Sequence, residues 1–173
     1  MAERFFPAVG GWRLPGQALE ASHQEMARDG AVGNEGTVLW LGNRRAGVAA
    51  VKSVVVLRGP GIIKRPDFIS ISSDLINEVT GVAIELGEVL VAQIHSHEFG
   101  WTDLSPVDQA GGFRVPGFLS VVAPNFAQDP ALDLHRCGIH VFDSTWRRLS
   151  DAEATNSIVV DPGGDVVILT VGE

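Results

Sequence analysis

Two histidines and an aspartate in the stretch VLVAQIHSHEFGWTDLSPVDQA (residues 89–110) have the types and spacing for metal chemistry. Side chains at i and i+2 of a strand point to one face, so His95 and His97 are predicted to point the same way at a strand end. Asp108 lies in the first turn of the next predicted helix and can present its carboxylate to the same ion. Two imidazoles and one carboxylate form a three-ligand zinc site with an open fourth position. Such a site is typical of catalysis, because water bound there ionises near neutral pH.

Each half of this pattern also has a purely structural interpretation. A His-x-His pair on a strand can be incidental, and Ser105-Pro106-Val107-Asp108 can be an ordinary capped helix start. The full pattern places seven residues between His97 and Ser105 and two between Ser105 and Asp108. At ordinary residue usage it arises by chance in roughly one of several thousand chains of this length. The combination therefore favours a functional interpretation.

The segment HSHEFGWTDLSPVD resembles the His-x-His-x7-Ser-x2-Asp signature of the JAMM (JAB/MPN+) metalloprotease family, and the resemblance extends over roughly residues 15–145. It implies a JAB/MPN-like fold, a mixed β-sheet flanked by helices, with Zn²⁺ held by His95, His97 and Asp108. It also implies hydrolysis of the bond after the C-terminal glycine of ubiquitin or a ubiquitin-like protein. One departure is Glu98, where the family usually has proline, and it concerns the shape of the loop rather than the ligands.

The resemblance also implies two catalytic residues. The family has a glutamate just before an upstream strand, and NEGTVLWLG matches it at Glu35. Such a carboxylate takes the proton of the attacking water and passes it to the leaving amine. Ser105 matches the family serine, which donates a hydrogen bond to the oxyanion and can cap its helix as well. The other acidic candidates are Glu85, Glu88 and Glu98.

Trp101 is a low-ranking candidate for substrate binding. It lies between His97 and Ser105, where a large aromatic side chain can either contact substrate or fix the loop to the core. The segment HRCGIH could be read as a second metal site at His135, Cys137 and His140, but no fourth ligand is nearby in sequence. A buried thiol and strand histidines are the preferred interpretation there.

An alternative function is a non-catalytic MPN scaffold or binding module. Such members generally lack one or more ligands, whereas this chain has all five signature residues. The family implies a ubiquitin-like protein or its conjugate as the partner, with ubiquitin-activating-like and conjugating-like enzymes alongside in some members. A third alternative, a DNA-repair-associated type, conflicts with the net charge of −8, because DNA binding needs a basic face.

Bulk composition indicates one soluble globular domain over residues 1–173. Hydrophobic residues make up 45% of the chain and charged residues 20%, which is ordinary for such a protein. The single cysteine excludes an internal disulfide and suits a reducing compartment. The first sixteen residues contain no apolar stretch typical of a signal peptide, and no segment is long and apolar enough for a membrane span. We therefore expect a cytoplasmic protein that binds neither nucleic acid nor membrane.

Periodicity and turn signals predict an α+β (mixed α/β) fold. Helices are predicted over residues 15–30, 72–87 and 105–112. Strands are predicted over residues 36–42, 46–59, 88–95, 118–123, 137–142 and 157–171, the last as a hairpin around Pro162-Gly163-Gly164.

Overall fold

The computed structural model describes residues 9–172, so part of the segment used for the signal-peptide prediction lies outside the described residues. Within these residues, four α-helices and eleven strands make up the fold. The helices are α1 (Gly16–Gly30), α2 (Ser73–Leu86), α3 (Pro106–Gly111) and α4 (Asp151–Ser157). The strands are β1 (Gly11–Pro15), β2 (Thr37–Arg45), β3 (Val48–Leu57), β4 (Ile62–Lys64), β5 (Ile69–Ile71), β6 (Val89–Ser96), β7 (Leu119–Ala123), β8 (Gly138–Asp143), β9 (Thr145–Arg148), β10 (Ile158–Asp161) and β11 (Val167–Val171).

Nine of the strands form one mixed sheet in the order β10-β1-β3-β2-β6-β7-β8-β9, with β11 also paired to β3. The central pairs β3–β2 and β2–β6 are antiparallel, whereas β6–β7 is parallel. Strands β4 and β5 form a separate two-stranded hairpin. The predicted mixed α/β class is thus confirmed.

The central strands are buried on both faces, because a helix covers each face of the sheet. On one face Met26 of α1 packs in the same cluster as Val38 and Trp40 of β2. On the other face the alternate residues of β2, Leu39 and Leu41, pack with apolar residues of α2. The near-continuous apolar runs of β2 and β3 follow from this double coverage.

The signals for helix ends in the sequence match the structure closely. The Ser72 side chain accepts a hydrogen bond from the Leu75 N–H, and Gly87 ends α2 with a left-handed φ of 67°. Ser105 caps α3, with Pro106 at its first position. These local devices position α3 directly after the loop that follows β6.

The predicted hairpin over residues 157–171 is wrong. Strand β10 pairs in parallel with β1, and β11 pairs in parallel with β3. The reason is that β1 covers only Val48–Ala50 of β3, so the edge of β3 from Ser53 to Leu57 is open for another strand. The turn after Asp161 carries the apolar β11 to that edge.

The predictions also missed four short strands and one helix: β1, β4, β5, β9 and α4. Helix α4 begins with a capping box, in which Ser150 and Glu153 each bond to the other's backbone N–H. Across residues 9–172, no helix has both the length and the apolar character that a bilayer crossing requires.

Candidate metal centre

Three adjacent elements bring the predicted ligands together. His95 lies near the end of β6, and His97 follows the last residue of that strand. The chain then loops over residues 98–104, and α3 places Asp108 in its first turn. The Asp108 carboxylate is oriented by a hydrogen bond of 2.7 Å from the Ser105 N–H to Oδ2. Strand end and helix cap together therefore aim three side chains at one point.

The ligand atoms face each other at short range. His95 Nε2 and His97 Nε2 are 3.1 Å apart, and His97 Nε2 is 3.1 Å from Asp108 Oδ2. The third distance, from His95 Nε2 to Asp108 Oδ2, is 3.6 Å. Ligands about 2.05 Å from a tetrahedral zinc are about 3.3 Å from one another. The donor set and its spacing thus fit a zinc ion, and the cluster could bind a metal.

The cluster is buried, and its environment keeps Asp108 ionised. His95 and His97 are 4% and 2% exposed, so both imidazoles are largely removed from water. Burial disfavours the charged carboxylate of Asp108, but hydrogen bonds with His95 and His97 outweigh it and hold the pKa of Asp108 well below its ordinary value. Asp108 is therefore ionised at neutral pH and available to a cation.

Glu35 lies beside this cluster, immediately before β2. Its Oε1 is 3.9 Å from His97 Nε2, and the residue is 5% exposed. Burial raises the pKa of its carboxyl from 4.5 to about 7. Of the other candidate acids, Glu85 and Glu98 are exposed, and Glu88 follows the end of α2. The structure thus brings Glu35 to the cluster, as a carboxyl able to gain and lose a proton near neutral pH.

The helix cap uses the Ser105 hydroxyl only as a hydrogen-bond acceptor. Its Oγ accepts a hydrogen bond of 3.0 Å from the Asp108 N–H, which completes a reciprocal capping box. An accepting hydroxyl oxygen still carries its own hydrogen. The cap is therefore compatible with donation of a second hydrogen bond by the same hydroxyl.

Trp101 lies against a candidate ligand. Its ring stacks on the His97 imidazole, with centroids 4.8 Å apart and planes inclined by 19°. The side chain is nevertheless 50% exposed, so its other face is available to solvent. The contact with His97 and the exposure together allow both interpretations of this residue, as a support for the loop and as a contact for substrate.

A groove of about 730 Å³ leads away from the cluster. His95 and Asp108 form part of its wall, and the remainder is mostly apolar. The other residues of its wall, which were not predicted from the sequence, include Phe68, Ile71, Ile76 and Phe113. Phe68 and Ile71 belong to the small hairpin of β4 and β5, whose three-residue strands are too short to give a periodic signal.

The segment around Cys137 forms no second metal cluster within residues 9–172. His135 is exposed in a short 3₁₀ turn, whereas His140 is buried in β8. The Cys137 thiol donates a hydrogen bond to the Asp133 carbonyl, and burial raises the pKa of the thiol to about 12. It is therefore a structural thiol rather than a reactive one.

Comparison of the sequence with protein-family models and with curated proteins finds no match. Among solved structures, the chain is similar to the solution structure of protein DSY2949 from Desulfitobacterium hafniense, with a TM-score of 0.61 and 17% sequence identity. The superposition covers 90% of this chain and 94% of that chain. At this identity the likeness concerns the fold alone, and it shows that a natural protein of similar length adopts a related mixed α/β architecture.

Proposed function

We propose that the protein is a zinc-dependent isopeptidase or peptidase of the JAMM (JAB/MPN+) type. It hydrolyses the bond after the C-terminal glycine of ubiquitin or a ubiquitin-like protein. The observation that carries the proposal is the convergence of His95 Nε2, His97 Nε2 and Asp108 Oδ2 at the spacing of zinc ligands, with Glu35 alongside. The substrate class comes from the resemblance of the signature. The mixed sheet between α1 and α2 is compatible with the JAB/MPN fold.

His95, His97 and Asp108 would hold the zinc, which when bound supplies Lewis acidity and lowers the pKa of water. Glu35 takes the proton of the attacking water, because its carboxyl is the acidic group beside the ligands that is not itself a ligand. Later it returns that proton to the leaving amine. The low exposure of Glu35 limits exchange of this proton with bulk solvent.

Ser105 stabilises the charge that develops on the carbonyl oxygen of the scissile bond. Its oxygen is fixed by the N–H of Asp108, so the donor is already in place before the reaction begins. Donors held in place in this way favour the transition state over the ground state.

The groove beside the cluster accommodates the extended tail of the substrate. All three residues of β5 line it, and within residues 9–172 β5 pairs only with β4. A tail that enters the groove can therefore bond to the free edge of β5 as an added strand. This arrangement presents the terminal glycine to the metal end of the groove.

The first test is the zinc content of the purified protein. We expect about one zinc per chain in the wild type, since three ligands converge on one point. The variant His97→Ala, at the same folded fraction, loses the metal. Absence of zinc from the wild type after reconstitution contradicts the proposal and favours the non-catalytic scaffold.

The second test is hydrolysis of a probe in which a ubiquitin-like protein is joined through its C-terminal glycine to a lysine of a fluorescent peptide. Glu35→Gln should lower the rate by about 10²- to 10⁴-fold and leave zinc binding intact. Glu85→Gln, an exposed residue of α2, is the matched control and should retain the wild-type rate. Equal rates for Glu35→Gln and wild type contradict the assigned base.

A further inference from the structure

The residue between the two candidate zinc ligands is fully buried and bonds to the segment that carries Glu35. Ser96 has 0% exposure, and its Oγ accepts a hydrogen bond of 2.9 Å from the Gly36 N–H. In return, the Ser96 N–H donates to the Gly36 carbonyl, also at 2.9 Å. Two reciprocal bonds thus join the end of β6 to the residue that follows Glu35.

The side-chain bond is needed because the sheet ladder ends at this point. The pairing of β2 with β6 runs as far as Thr37 opposite His95. Gly36 lies just beyond that pair, opposite Ser96, and no backbone carbonyl among the described residues accepts its N–H. The Ser96 hydroxyl supplies the acceptor, whereas alanine at this position would leave the N–H buried without this partner.

Helix α1 packs closely against Gly36. A Cβ added to it would lie 2.6 Å from the Met26 Cα and 3.0 Å from Asp29 Oδ2. The N–H of Glu35 donates a hydrogen bond of 2.9 Å to the Arg65 carbonyl. The backbone of Glu35 is therefore bounded by the β4–β5 hairpin on one side and by Ser96 on the other.

We infer that Ser96 is a positioning residue for Glu35. It ties the backbone next to the catalytic base directly to the strand that carries the metal ligands, so base and ligands keep a fixed separation. The inference rests on the proposed function, because it gives Ser96 a role in hydrolysis. Ser96 contacts neither substrate nor metal in this role and acts through Glu35.

The experiment compares Ser96→Ala with Ser22→Ala at equal folded fraction. Ser22 is also 0% exposed, and its Oγ accepts a hydrogen bond of 2.9 Å from Trp40 Nε1, so each variant leaves one buried N–H without its acceptor. The readouts are kcat and KM on the isopeptide probe, the zinc dissociation constant by chelator competition, and hydrogen exchange of the Gly36 amide by NMR.

We expect Ser96→Ala to lower kcat by about 10- to 100-fold, since a displacement of about 1 Å in a catalytic group has effects of this size. KM and the zinc dissociation constant stay at the wild-type values, and exchange of the Gly36 amide accelerates. Ser22→Ala leaves all four quantities unchanged.

Three outcomes overturn the inference. An unchanged kcat in Ser96→Ala removes the role of Ser96 and leaves the proposed function standing. A fall in zinc affinity that accounts for the whole loss of rate makes Ser96 a support for the ligands rather than for Glu35. A zinc-loaded wild type that does not hydrolyse the probe overturns the proposed function, and the role of Ser96 with it.

Discussion

The Trp101 indole lies nearly parallel to the His97 imidazole, with ring centroids 4.8 Å apart. A metal-binding histidine usually donates its second ring N–H to an oxygen that fixes the ring. Here Nδ1 of His97 is buried without a hydrogen-bond partner among the described residues. In the proposed zinc site, the stacked indole would supply the orientation that a hydrogen bond provides in known metal sites.

Loss of this stack should weaken zinc binding. We expect Trp101→Leu to raise the zinc dissociation constant about 10- to 100-fold, the usual effect of removing a group that orients a ligand. Trp101→Phe retains an aromatic face and should lie close to wild type. Chelator competition measures both. If Trp101→Leu binds zinc normally and raises only KM for the isopeptide probe, the residue contacts substrate instead.

Replacement of Ser105 separates its two roles. We expect Ser105→Ala to cost about 1 kcal/mol of unfolding free energy as a lost helix cap. Loss of the oxyanion donor should also lower kcat about 100-fold or more. Ser150→Ala is the matched control, because Ser150 caps α4 through the same capping box. Denaturant titration and turnover of the isopeptide probe measure the two effects. A loss of stability alone, equal in both variants, makes Ser105 a cap and nothing more.

The cysteine should be dispensable for turnover. The proposed hydrolysis forms no covalent intermediate, and the Cys137 thiol is buried with a raised pKa. We expect Cys137→Ser to keep the wild-type kcat and KM, with at most a modest loss of stability from the changed core contact. A well-folded variant with full zinc content and no turnover means that the mechanism is wrong.

His140 should make stability depend on pH. Burial, followed by the positive charge of Arg148, lowers the pKa of His140 from 6.5 to about 4, although Asp103 Oδ1 lies 3.9 Å from its Nε2. Between these values the unfolded chain binds a proton that the folded chain does not. The unfolding free energy therefore falls by roughly 3 kcal/mol from this residue as pH drops from 6.5 to 4.

Comparison of wild type with His140→Gln isolates this contribution, because other groups titrate in both proteins. As pH falls from 7 to 4.5 at one fixed zinc concentration, we expect the unfolding free energy of the wild type to fall more than that of His140→Gln. Denaturant titration at each pH gives the values. A difference that does not change with pH contradicts a buried neutral imidazole at this position.

The candidate metal centre could be predicted from the sequence because its parts are local. His95, His97, Ser105 and Asp108 lie within one strand end, one loop and one helix cap, and each of these has a sequence signal. Glu35 was inferred from the family resemblance, since only the pairing of Thr37 with His95 brings it near. Propensities do not reveal which strands pair across such a distance.

The features that sequence analysis missed depend on long-range placement. The parallel pairing of β10 and β11 was mistaken for a hairpin because an apolar run, a Pro-Gly-Gly turn and a second apolar run resemble one. The bond between Ser96 and Gly36 joins residues far apart in the sequence, so no local pattern announces it. In both cases the local sequence is compatible with more than one pairing, and the tertiary arrangement determines which one forms.

The pairing of β1 with β10 has a consequence for synthesis and folding. Trp12 lies opposite Ile158, so β1 cannot complete its pairing until β10, far along the chain, is available. Contacts of this kind slow folding, because the chain between them must first be brought together. During translation β1 therefore has one unpaired backbone edge until β10 has left the ribosome.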